Sequence, residues 1–142
     1  MKKTLDQAEI DFRKEAREHY RSRMTAIKTL WELYKRDSDA SDPCIGSWPE
    51  YGLSFDYVSP GTFKGQTRGY FRYQISYGGP SEEIRFYTDE RLKPHRIEFW
   101  FLDWFKGHRV SIQGRNKAML EEIFDDFREC GTVEALLRDD DV

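Results

Sequence analysis

The chain has 142 residues, 38% of them hydrophobic, 15% aromatic and 35% charged, with a formal net charge of −3. That length suits one domain, spanning residues 1–142, and so many aromatic residues exclude a fully disordered chain. The longest apolar run, Phe99-Trp100-Phe101-Leu102, is far too short to cross a bilayer, and no apolar stretch follows Lys2 and Lys3, so a cytoplasmic protein without membrane association or secretory signal is expected.

Charge is unevenly distributed. Residues 1–36 hold ten basic and six acidic side chains, a net +4, whereas residues 118–142 hold two arginines against nine acids, a net −7. Such segments are either solvated helical faces or partner-binding surfaces, the acidic one for a protein with a basic surface. Cys44 and Cys130 have no CxxC partner and read as reduced thiols. His19, His95 and His108 match no ligand spacing, so neither a metal nor a cofactor is expected.

In chain order, Thr4 with Gln7 three residues on forms a capping box that opens a long helix over residues 4–36. Phe12, Ala16, Tyr20, Met24, Ile27, Trp31 and Tyr34 recur at steps of three and four and share one stripe. Arg13, Lys14, Arg17, Arg21, Arg23 and Lys28 fall between them, mostly toward solvent. A helix this long can outreach a small sheet, which leaves part of its stripe for a homodimer. The polar break Asp37 to Pro43 ends it, and Cys44 to Glu50 reads as a loop.

Sixteen of the twenty-two aromatic residues lie between Trp48 and Phe105, where turn signals recur regularly. Over residues 51–113 the pattern predicts an antiparallel meander of four to five strands. Leu53, Phe55 and Tyr57 share a face before the turn Ser59-Pro60-Gly61. The next strand, about 69–77, puts Phe71, Tyr73, Ile75 and Tyr77 on one side and Tyr70, Arg72, Gln74 and Ser76 on the other. After Gly78-Gly79-Pro80 comes a short strand, Ile84 to Tyr87, then a turn over 89–94. Arg96 to Leu102 follows, with Ile97, Phe99 and Phe101 inward and Glu98, Trp100 and Leu102 outward. Lys106-Gly107 turns into a last strand marked by Val110 and Ile112. One or two helices occupy residues 115–138. The first carries Met119, Leu120, Ile123 and Phe127 and stops at Cys130-Gly131, and the second is capped by Thr132. The fold class is α+β.

Several segments bear on chemistry. Arg68 to Ile75 echoes an RNA-recognition signature, yet has Phe71 where Gly or Ala is wanted and Arg72 where a stacking aromatic is wanted, so a plain hairpin strand is the reading. Arg72, Arg85 and Arg96 can pair with Glu98 across strands. The Gly-rich turn Tyr77 to Glu83 carries two glutamates that repel phosphate. Trp100 and Trp104 exceed what one inward face needs. Either the sheet is covered on both sides, or these indoles are interface anchors. Asp56, Asp103 and Glu98 with His95 or His108 are the candidates for acid–base work, although no spacing forces them together.

The run from Tyr51 to Trp104, in particular Leu53 to Phe63, Gly69 to Ser81 and Phe99 to Trp104, resembles small uncharacterised proteins carried on bacterial plasmids and other mobile elements. The resemblance covers the sheet alone. It implies an accessory factor, of the kind that inhibits host restriction or CRISPR defence, and no site residues.

The primary expectation is a non-enzymatic binding protein acting by protein–protein contact. Glu121, Glu122, Asp125, Asp126 and Glu129 would face a basic partner, and Trp100 and Trp104 would anchor it. The alternative is a nucleic-acid binder using Arg13, Arg17, Arg21 and Lys28 on phosphates. A third reading is a small enzyme or ligand-binding domain on the sheet, which predicts a pocket lined by convergent polar groups.

Overall fold

The computed structural model describes residues 6–140. Thr4 lies outside the described residues. The first helix, α1, runs Gln7–Arg36, and Asp6 caps it, its carboxylate accepting the backbone N–H of Glu9 at 2.8 Å. The expected stripe is present: Ala16, Met24, Ile27 and Trp31 are buried, joined by Leu30. Phe12 packs on Phe101 and Tyr20 on Phe99, with ring centroids 5.4 and 5.6 Å apart. The chain's own sheet thus takes up the first half of the stripe, Trp31 packs on Tyr34 and Trp48, and Ile10 is the one large hydrophobic residue of α1 left exposed among the described residues.

Within the expected loop, Trp48–Tyr51 forms one helical turn, α2. It sets the buried Trp48 between Trp31 and Tyr73, 5.7 and 5.5 Å away. Tyr73 lies so close to Gly52 that a β-carbon there would collide with its ring.

Five strands follow: β1 Ser54–Val58, β2 Tyr70–Ser76, β3 Ser81–Thr88, β4 Pro94–Asp103 and β5 Lys106–Ser111. They pair in sequence order, every neighbour antiparallel, as a meander. The register sets Phe71 opposite Phe86, Phe86 opposite Ile97, Ile84 opposite Phe99 and Phe99 opposite Val110. Apolar side chains therefore line up across all the central strands on one face.

Two turns differ from expectation. Glu82 and Glu83, read as turn residues, belong to β3, because both find cationic partners that let a carboxylate enter a strand. The last hairpin turns at Trp104-Phe105, since Asp103 pairs with Lys106.

The C-terminal helices are α3, Gly114–Glu129, and α4, Thr132–Asp140. Phe124 is buried between Phe71 and Phe86, at 5.4 and 5.2 Å, and Phe127 stacks on Phe55 at 4.1 Å. Every helix packs on the same face of the sheet. The other face carries no helix among the described residues, and only the β1–β2 connection folds along it. No helix of the described residues is long and apolar enough to cross a membrane.

Candidate functional site

The two singled-out indoles have different surroundings. Trp100 lies on the helix-free face, half-buried. Its Nε1 donates to Glu98 at 3.0 Å, and the Arg85 guanidinium stands 4.1 Å above its ring. Trp104 occupies the β4–β5 turn and is 90% exposed, beside Phe105 at 103%. The β2–β3 turn lies at the same end of the sheet, Ser81 pairing with Leu102, and it presents Tyr77, 81% exposed. A β-carbon on Gly79 would sit 3.7 Å from the Asp103 carboxylate, so the two turns touch. Three uncovered rings on adjoining turns form an aromatic tip. Alternation set Tyr77 on one side of the strand with Phe71, Tyr73 and Ile75, but β2 shifts register between Gln74 and Ser76 and ends at Ser76, which leaves the ring in the turn.

The acids of α3 lie elsewhere. Glu122 accepts hydrogen bonds from Lys35 at 2.9 Å and from the Trp31 indole at 3.2 Å. The Lys35 bond first, and the indole bond after it, hold its carboxyl below the ordinary value against the effect of burial. Asp125, Asp126 and Glu129 border the same shallow depression beside Tyr34 and Ser38, whereas Glu121 is half-buried. The tip contacts the opposite end of α1, where Lys106 lies 5.8 Å from the Phe12 ring. Phe12 and Lys35 stand 23 residues apart in one helix, about 34 Å at a rise of 1.5 Å per residue. Trp104 and the acids therefore do not form one patch.

Arg13, Arg17, Arg21 and Lys28 follow the solvent side of α1. Arg13 is paired with Glu9 at 3.3 Å. Partial burial first, then Arg13 and Arg17, push the His108 imidazole on β5 below its ordinary value, which places those two arginines beside it. Lys28 borders a hollow with Arg115 and Glu32.

The acid–base candidates do not converge. His95 and Asp103 sit near opposite ends of β4, Asp56 is paired with Arg72 at 2.7 Å, and Glu98 is bonded to Trp100 and Arg109. A cluster that spacing could not reveal lies instead under α1. Buried Glu82 accepts from Arg23 Nη2 at 2.6 Å, Arg23 Nε at 3.1 Å and Ser76 Oγ at 2.8 Å, and His19 Nδ1 lies 2.9 Å from it. Among the described residues the far ring nitrogen of His19 meets only Glu15, at 4.0 Å, and the Ser76 hydroxyl serves the carboxylate. The cluster pins α1 to the sheet and presents no nucleophile to the imidazole. Among the described residues no group of three His, Cys, Asp or Glu side chains could hold a metal.

The helix-free face holds a second polar assembly. Arg85 is sandwiched between Trp100 and Tyr70, at 4.1 and 4.7 Å, and Arg96 lies 4.1 Å over Tyr87. Two buried carboxylates orient them. Glu83 accepts from Arg85 Nε at 2.8 Å, while Glu98 accepts from Trp100 and from Arg109 at 3.1 Å and lies 3.5 Å from Arg96 Nε. The β1–β2 loop adds Lys64 and Arg68 and encloses an open cavity of about 540 Å³. Its lining contains no carboxylate. Gln66 holds the loop in shape, donating to the carbonyls of Ser59 and Arg68 and accepting from Phe63 N–H. The sequence reading anticipated Arg96 pairing with Glu98, but it also offered Arg72 and Arg85, which pair with Asp56 and Glu83 instead. No family model, curated protein or solved structure matches this chain.

Proposed function

We propose that the protein is a non-enzymatic binding module of the cytoplasm that works by protein–protein contact, anchored by the aromatic tip. The observation that carries this reading is the exposure of Tyr77, Trp104 and Phe105 on two adjoining turns. Uncovered rings of this size are costly to leave in water, and tryptophan and tyrosine are the residues that dominate the energy of interfaces. The acids of α3 supply a second, electrostatic contact for a partner with a basic surface, steering association more than holding it. A partner that uses both must extend along α1. The resemblance of the sheet to proteins of mobile elements suggests a host factor, such as a component of restriction or CRISPR defence, as that partner.

The test is capture from a host lysate with three baits: the native chain, the double variant Trp104→Ser/Phe105→Ser, and the quadruple variant Glu121→Gln/Glu122→Gln/Asp125→Asn/Asp126→Asn. A protein retained by the native chain and lost with the tip variant supports the reading. Slower association of that captured protein at raised salt, a dependence lost in the quadruple variant, supports the acidic contact. A bound set identical for native and tip baits rules out the tip as anchor.

A further inference from the structure

We propose that the cavity beneath the β1–β2 loop binds a nucleoside phosphate, free or within a single strand. Four features of the site carry this.

The first is the cost of the carboxylates below it. Glu83 and Glu98 are buried within a sheet face, where an ion is stable only if paired and hydrogen-bonded. Glu83 accepts from the Nε edge of Arg85, and Glu98 accepts from the Trp100 indole and from Arg109 while lying 3.5 Å from the Nε edge of Arg96. The outer Nη groups of Arg85 and Arg96 have no acceptor among the described residues. The Arg85 fork is thus held from behind by Glu83 and by the rings on either side, Arg96 is positioned by its stack on Tyr87 and by Glu98, and both are left open in front, the arrangement that takes phosphate oxygens in pairs.

The second is charge. Lys64 and Arg68 add two more cations, neither of them in an ion pair among the described residues, and no carboxylate lines the cavity. An electropositive hollow in a chain of net charge −3 selects an anion.

The third is Tyr70. It is 2% exposed and lines the cavity, and its hydroxyl is buried without a hydrogen-bond partner among the described residues. A buried hydroxyl left unpaired costs about 1–3 kcal/mol, and a ligand oxygen would satisfy it.

The fourth is size and lining. A bare phosphate leaves most of 540 Å³ empty, whereas the half-exposed Phe63 on the loop, with Tyr87 and Trp100 on the floor, offers ring surface to a planar base. The loop is closed by its own hydrogen bonds through Gln66, so this wall exists before a ligand arrives.

The experiment is a calorimetric titration of the full chain, at low and raised salt, with AMP, inorganic phosphate, a thymidine decanucleotide and an acidic peptide. AMP or the decanucleotide is expected to bind, and whichever is tighter identifies the source of the nucleoside phosphate. Arg68→Gln and Arg96→Gln, both at exposed positions, are each expected to weaken binding about tenfold, with a shallower salt dependence. Tyr70→Phe is expected to weaken it severalfold without lowering Tm. Arg85→Lys, which keeps the charge and loses the fork, is expected to weaken binding while the chain remains folded by circular dichroism. Trp104→Ser, at the other end of the sheet, should leave nucleotide affinity unchanged, so failure here and failure of the tip contact are separately visible. The proposal is overturned by absence of AMP and decanucleotide binding at low salt. It is equally overturned by phosphate or acidic peptide binding as tightly as the nucleotide, or by arginine variants that bind like the native chain.

Discussion

The two faces of the sheet solve the same problem differently. Both carry large rings and both bury glutamate. On the covered face the rings of Phe71, Phe86, Phe99 and Phe101 pack against α1 and α3, and Glu82 is neutralised from outside the sheet by Arg23 of the helix, with His19 against it at 2.9 Å. On the open face Tyr70, Tyr87 and Trp100 are covered by arginines of the sheet itself, and Glu83 and Glu98 are neutralised by those same arginines or their neighbours. Guanidinium planes replace a second layer of helices. The lesson is that aromatic surface beyond the needs of a core need not imply a second core, because stacked arginine removes ring faces from water and still leaves its own N–H edges outward.

The sharpest way to break this comparison is to empty one position on each face. Phe99→Ala is expected to cost about 3–5 kcal/mol in urea unfolding, whereas Trp100→Ala, on a floor that arginine covers only in part, is expected to cost about 1–2 kcal/mol. Equal costs would make the open face a true core. Next in size, Glu82→Gln is expected to lose roughly 2–3 kcal/mol at neutral pH, since it leaves Arg23 short of its counter-ion. Burial alone would raise the Glu82 carboxyl, but the bonds from Arg23, Ser76 and His19 outweigh it and hold the group below its ordinary value of 4.5. Its contribution is therefore full above that value and is lost as pH falls through the depressed one. Unfolding midpoints of the native chain and Glu82→Gln should converge in acid and separate toward neutrality. Glu98→Gln is expected to cost about 1–2 kcal/mol and to alter indole emission by loosening Trp100. The smallest effect is expected from Asp6→Ala, about 0.5–1 kcal/mol, which frays the start of α1 and should leave hydrogen exchange on the open-face strand residues unchanged.

Much of the architecture was legible because periodicity reports burial. The stripe of α1, the alternation in β2 and β4 and the number of strands follow from residues whose partners are apolar and non-directional. Legibility failed where pairing decided placement. Glu82 and Glu83 read as turn residues because a carboxylate in a strand requires knowing that Arg23, 59 positions away, stands above one of them. Trp100 and Trp104 read together as rings in excess of one inward face, yet one is half-covered on the sheet and the other stands clear of it. Of the α3 acids Glu122, Asp125 and Glu129 are exposed while Glu121 and Asp126 are half-buried, and their distance from the tip is a property of α1's length, which no local pattern in α3 contains. Phe124, missing from the expected α3 stripe, stands four residues after Leu120, so the helical period did contain it, and its ring fills the centre of the core.

Trp104 adopts φ 55°, a left-handed backbone that glycine and asparagine enter freely and a bulky side chain enters at a penalty. A hairpin evolving for durability alone would have discarded an indole there. Trp104→Gly should consequently yield a hardier molecule, melting a few degrees higher and lacking the ring proposed to anchor a partner.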